Sequence, residues 1–346
     1  MYVAFQLAQV LVVAVHLTAV NVAVGGTGLA MWLHVRAMRR SEPHEVLGPR
    51  LLQAALYGLY VGTVLGFAAA YLWWLSRPEE VEATLAILPA SRYYFAAAEL
   101  VFSAVCFEVW LRLWSRGPWA SKVGCVLGFV GFTNLAYHFP TLFGILGVYG
   151  ARPLEIVADR SYLSLLNDGE VIARVVHFLI ASVAVAGTVL YALAAQCSAD
   201  DGPRPELDRV GRRGALVALI ATLLQWPIGV VYILAMPETG RTLVMGRDRI
   251  VAGLFVVSLF AVIGLTHKLA AAALGEGARG GARRVVAWIL ATILLMTAVR
   301  HRLREAQYPP RPDGVMIGDR AAHRSTNTAA RRTSTLHLSL QEDCVL

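Results

Sequence analysis

Eight stretches of mostly apolar residues, each about the twenty residues needed to cross a hydrocarbon layer as a helix, run near 9–33, 51–75, 93–114, 123–149, 171–195, 214–236, 250–270 and 285–303. Short polar segments separate them, punctuated by Pro43 and Gly48, Pro78, Gly117 and Pro118, Pro153, Gly202 and Pro203, Pro237 and Gly240, and Gly275 to Gly281. The pattern predicts an all-α polytopic membrane protein, with about eight transmembrane helices packed as helical bundles. The expected divisions are a first bundle over 1–195, a second over 196–303 and a polar tail over 304–346. That tail shows no sustained apolar period and is expected to be disordered or partner-bound. The first run lacks a basic leader and is too long for a signal-peptide core, so it is expected to remain as the first helix.

With 57% hydrophobic and 16% charged residues, the composition is far from that of a soluble domain. The net charge of +8 sits in short loops and in the tail, with no basic face carrying interleaved aromatics. Membrane topology therefore explains it, and nucleic-acid binding is not expected. Cys106, Cys125, Cys197 and Cys344 form neither a CxxC pair nor a CxxCH motif, so an iron–sulfur cluster and covalently attached haem are unsupported.

Basic residues mark the cytoplasmic loops. Arg36, Arg39, Arg40, Arg50, Arg112, Arg116, Lys122, Arg204, Arg209, Arg212, Arg213, Lys268, Arg279, Arg283 and Arg284 follow the first, third, fifth and seventh runs, whereas Glu79, Glu80, Glu82, Glu155, Asp159, Asp168 and Glu170 lie in the other loops. The amino terminus is thus expected outside a bacterial-type inner (cytoplasmic) membrane. An even number of spans puts the tail outside as well, against the rule, since it carries Arg304, Arg311, Arg320, Arg324, Arg331 and Arg332.

Within this frame His16, His138 and His177 lie inside apolar stretches. An imidazole in hydrocarbon is costly unless partnered, and a metal is a partner that His commonly takes. At about 1.5 Å of rise per residue, His16, Glu99, Asn134, His138, His177, Met296, Arg300, His301 and Arg249 gather in the outer leaflet. Each has a plainer reading: a hydrogen-bonded packing histidine, a protonated structural acid at Glu99, interhelical glue at Asn134, and packing methionines at Met236, Met245 and Met296. Glu108 falls nearer the inner face, and His34, His44 and His267 are expected at helix ends. Gly25, Gly26, Gly28, Gly58, Gly62, Gly66, Gly124, Gly128 and Gly131 have the spacing of closely packed helices.

Four segments in order carry a resemblance: HLTAVNVAVGGTGLAMWLHVR from His16, ELVFSAVCFEVWLRL from Glu99, GFTNLAYHFPTLFGILGVYGARP around Asn134 and closing at Pro153, and ARVVHFLIASVAVAGTVLYALA around His177. Together they resemble subunit I of the cytochrome bd-type oxidase family over roughly residues 1–195, with a thinner match to about 310. The resemblance implies b-type and possible d-type haem, with His16 on a haem of the oxygen-reducing pair and His177 on the low-spin b haem. It implies Glu99 and Asn134 as a catalytic proton path, Arg249 beside the cofactor, and a second membrane subunit. His138 or Met296 is a candidate to complete a coordination sphere.

The departures are equally specific. Val251 stands where the family has its second low-spin ligand, a Met, and Ser91 where it has a second acid. The Glu ligand of the remaining high-spin haem falls near Met296, where no acid is available. The long quinol-binding loop is reduced to the segment between Met236 and Arg249. A divergent member lacking that loop is expected, with no quinol oxidation at the usual place and electrons supplied by an external redox partner or partner subunit. The expected function is a haem-binding subunit of a bd-like electron-transfer complex that reduces dioxygen or another small oxidant, an oxidoreductase. The alternatives are a non-catalytic b-haem membrane anchor that passes electrons to a partner enzyme, and a proton-relay transporter.

Overall fold

Each apolar run continues as a helix beyond its hydrophobic limits until a breaker or cap stops it. The computed structural model describes residues 2–38, 43–150, 160–200, 205–276 and 281–307. Its long helices are α1 (Tyr2–Ala37), α2 (Pro43–Ser76), α4 (Ala90–Leu113), α5 (Pro118–Tyr149), α7 (Gly169–Asp200), α8 (Pro205–Ala235), α10 (Arg249–Leu274) and α11 (Gly281–Gln307). Short helices α3 (Pro78–Leu85), α6 (Tyr162–Leu166) and α9 (Glu238–Thr242) lie in the connections, and a π-type turn spans Leu243–Arg247. All eight expected runs are helical, and no strand occurs among the described residues. Arg152, Pro153, Cys344 and the tail from 308 lie outside the described residues.

The stops are those the composition predicts. Pro78 opens α3, and Gly117 (φ 108°) precedes Pro118 in the first turn of α5, where a missing N–H costs nothing. Asp248 caps α10 by accepting from the amides of Ile250 (2.8 Å) and Val251 (3.1 Å). Gly275 ends α10 in the left-handed conformation at φ 84°.

Seven of the long helices are long and apolar enough to cross a membrane. The exception is α5, which is long enough at 32 residues but whose apolar run is interrupted by Asn134, Tyr137, His138 and Pro140. Pro140 leaves α5 unbroken: the Thr141 hydroxyl donates to the carbonyls of Tyr137 (2.8 Å) and His138 (3.0 Å), satisfying backbone acceptors near the proline. The protein is an integral membrane protein.

Helix pairing defines two rings of four. In one, α1 packs on α2, α2 on α4, α4 on α5 and α5 back on α1; in the other, α7 packs on α8, α8 on α10, α10 on α11 and α11 back on α7. The rings join through α1 and α7, so α7 serves both. Leu33, Leu47, Leu51, Leu52, Phe107 and Trp110 fill the first interior, and Ala215, Ala218, Leu265 and Leu269 the second. Close approach is built on small residues. A Cβ on Gly187 would stand 2.6 Å from the carbonyl oxygen of Gly214, and one on Gly214 2.9 Å from that of Gly187, so α7 and α8 touch backbone to backbone there.

Candidate functional site

One half of the molecule, formed by the start of α1, the end of α2, the start of α4, the end of α5, the start of α7 and the ends of α8 and α11, holds most of the intramembrane polar groups. His16 leans from α1 onto α2, where its Nδ1 lies 2.8 Å from the carbonyl oxygen of Gly62. A carbonyl only accepts, so Nδ1 carries the proton and the neutral ring keeps its lone pair on Nε2. Gly66 supplies the room: a Cβ there would be 2.9 Å from His16 Cε1.

A second group spans α4 and α5. The Asn134 amide donates to the Glu99 backbone carbonyl at 3.0 Å and to Ser103 Oγ at 2.9 Å, and Ser103 in turn donates to the Gly131 carbonyl. One turn further along α5, His138 Nδ1 lies 3.3 Å from Glu99 Oε1. Glu99 is buried, whereas the His138 side chain is 40% accessible and edges against Phe95 and Tyr137. The structure thus brings three expected residues together, with Asn134 fixing the backbone at Glu99 and His138 facing its carboxylate.

The third group surrounds His177. Its ring stacks on Tyr232 of α8 with centroids 6.3 Å apart, and its carbonyl accepts from Gln225 Nε2 at 2.9 Å. Arg174, one turn earlier on α7, donates to the Tyr232 hydroxyl at 2.9 Å. Arg300 of α11 converges on the same place: a Cβ on Gly147 would meet both guanidinium groups, that of Arg300 at 3.2 Å. Neither arginine forms an ion pair among the described residues. Arg300 itself keeps accessible surface. Among the described residues, three of the four buried side-chain polar atoms without a hydrogen bond belong here: His177 Nδ1, Arg174 Nη1 and Gln225 Oε1. Like charges side by side among unsatisfied atoms are unfavourable in a low dielectric unless something anionic and polar meets them.

A polar rim closes this end. Arg304 grips Glu80 through two nitrogens at 2.8 and 3.2 Å and lies over the Trp73 ring, while His301 meets Gln6 and Arg302 reaches Asp248 and Glu305. Met296 is partly buried on α11, one turn before Arg300. Arg249 is exposed at the start of α10 and has no ion pair among the described residues, so it does not join the group at His177. Val251 is fully buried against Met236, Val244 and Leu303.

Sequence reasoning missed two features. Arg174, Gln225 and Tyr232 were not singled out, although Arg174 and Gln225 interrupt apolar runs and Arg174 shares a helix face with His177. His34 lies in the last turn of α1, as expected, but it is fully buried rather than interfacial. Trp110 Nε1 donates to its Nδ1 at 2.6 Å, its Nε2 meets Ser121 Oγ at 2.6 Å, and its ring stacks on Trp114 at 4.1 Å. Among the described residues no group of three or more His, Cys, Asp or Glu side chains is arranged to hold a bare metal ion.

Fold and site together define a polytopic helical membrane protein with histidines and unpaired arginines inside its spans. No protein-family model matches the sequence, and no curated protein is similar to it. The fold is that of bd oxidase: the chain matches the structure of bd oxidase from Geobacillus thermodenitrificans with a TM-score of 0.67, over 89% of this chain and 87% of that one, at 13% identity. The resemblance seen in the four segments is thereby borne out as a likeness of fold.

Proposed function

We propose that this chain is the haem-carrying membrane subunit of a bd-like electron-transfer complex, in which His16 and His177 would each hold the iron of a separate haem. The observation that carries the reading is the group at His177, where an imidazole nitrogen, an amide oxygen and one nitrogen of Arg174 lie buried without hydrogen bonds, with the Arg300 guanidinium beside that of Arg174. The donor set fits b-type haem, which needs an imidazole for iron and cations for its carboxylates. His177 would hold the iron, and Arg174 and Arg300 would meet the carboxylates. His16 fits as well, because its Nδ1 bond to Gly62 orients the ring and leaves Nε2 as the coordinating atom. Haem supplies one-electron redox chemistry when bound.

The chain's own residues do the rest. Arg174 holds the Tyr232 hydroxyl, and Tyr232 in turn fixes the His177 ring by stacking. Asn134 ties α5 to the Glu99 backbone, which sets the Glu99 carboxyl against His138. Glu99 then serves as the buried proton carrier, exchanging its proton with the more accessible His138 and delivering it inward. His138 is thus assigned to proton exchange, which leaves Met296 as the candidate for a further iron ligand.

Only α9 and the π-type turn lie between Ala235 and Arg249. That short link supports an electron donor other than quinol at this place, either a redox protein or a second membrane subunit. The distribution of Lys and Arg supports an external amino terminus in a bacterial inner membrane, with the polar half in the outer leaflet.

A reduced-minus-oxidised spectrum of the purified membrane protein, with and without carbon monoxide, tests the reading. Haem bands that shift with the gas are expected for a reductase. Unshifted bands would favour the electron-conducting anchor, and absence of any Soret band under haem-replete expression would overturn both.

A further inference from the structure

At the opposite end from the histidines, α7, α10 and α11 enclose a notch of about 110 Å³ lined by Tyr191, Lys268, Ala271, Ala272, Glu276, Gly281, Arg284 and Val285. Helical spacing builds it. Lys268, Ala271 and Ala272 share one face of α10, and Gly281, Arg284 and Val285 share one face of the first turn of α11. Tyr191 reaches in from α7, its hydroxyl only 3.0 Å from where a Cβ on Gly281 would stand. Lys268 and Arg284 make no ion pair among the described residues, and Glu276 is the one carboxylate in the lining. Arg212 of α8 adds a further cation at the rim, its guanidinium carbon 2.8 Å from the place of a Cβ on Gly275. The floor is apolar, made of Ala271, Ala272 and Val285. Below it Trp288 packs on Gly264, continuing the α10–α11 seam as an apolar surface.

Two unpaired cations and a hydroxyl donor above an apolar floor, at the depth where a membrane helix meets the headgroups, are the donors that a phosphodiester takes. We propose that this notch binds the phosphate of an anionic membrane phospholipid, with Lys268 and Arg284 on its charge, the Tyr191 hydroxyl donating to a phosphate oxygen, and the acyl chains lying along α10 and α11. A lipid held there would tie the start of α11 to α7 and α10. The inference does not depend on haem.

The test is native mass spectrometry of the delipidated full chain, titrated in parallel with phosphatidylglycerol and phosphatidylcholine, together with its melting temperature in nanodiscs of each lipid. Preferential retention of phosphatidylglycerol and a higher melting temperature in it are expected. Each cation should contribute about five-fold to retention, so Lys268→Gln with Arg284→Gln should lower it about thirty-fold; Lys268→Arg with Arg284→Lys should largely restore it. Should the double variant fail to fold, the wild-type comparison still decides. Equal retention and equal melting temperatures in the two lipids, retention unchanged in the folded double variant, or competition by inorganic phosphate with no lipid retained would each overturn the proposal.

Discussion

His34 and His177 are the same residue in similar apolar helices, yet the fold treats them in opposite ways. At His34 every polar atom of the ring is accounted for. Trp110 is a donor only, so Nδ1 must be the unprotonated acceptor and Nε2 the N–H that donates to Ser121 Oγ. One neutral tautomer is thereby fixed between Trp110 and Trp114. At His177, Nδ1 has no partner, and the side chains around it add an unpaired amide oxygen and two arginines. Hydropathy does not distinguish the two histidines; the count of satisfied ring nitrogens does, and the proposal that His177 is the working one rests on that difference.

The largest effect that would break this comparison is at the two proposed ligands. His177→Ala and His16→Ala should each abolish a distinct set of haem bands in the reduced spectrum, whereas His34→Ala should leave the bands of the folded fraction in place. Next in size is the stability of the His34 stack. His34→Leu leaves the Trp110 N–H buried without an acceptor, a penalty of about 1–3 kcal/mol, and a clear fall in melting temperature should accompany unchanged spectra. Arg174→Gln and Arg300→Gln relieve like charges if nothing anionic lies between them, so each should then raise stability; with haem carboxylates there, each should instead lower haem retention, as measured by haem-to-protein ratio. Asn134→Leu removes two interhelical hydrogen bonds, worth about 0.6 kcal/mol each inside a membrane. It should lower the melting temperature less than His34→Leu does, and Glu99→Gln, the smallest effect on stability, should leave it near wild type while slowing turnover.

The eight long helices were legible because apolar length alone specifies a span and Pro or Gly marks its end, as at Pro78, Pro118 and Gly275. The short helices were not, since α3, α6 and α9 have no long apolar run; Ser161 caps α6, whereas α3 and α9 have no side-chain cap. Depth was also readable, which is why Glu99, Asn134 and His138 could be expected in one layer. Their pairing across α4 and α5 depends on helix rotation, which spacing along one helix does not reveal. His34 was misjudged for the same reason: Trp110 and Trp114 arrive from α4, and nothing near residue 34 announces them. The close contacts at Gly58, Gly128 and Gly131 agree with the small-residue spacing, but which neighbour each glycine admits emerges only in the folded chain.

The most direct measurement is the haem-to-protein ratio, by pyridine haemochrome assay, of the wild type and of His16→Ala, His177→Ala and His34→Ala purified from the same haem-replete membranes. A loss of about one haem in each of the first two variants, with none lost in the folded His34 variant, is the predicted result. An unchanged ratio in His177→Ala would contradict the account, because the group of unsatisfied atoms around that residue would then have another purpose.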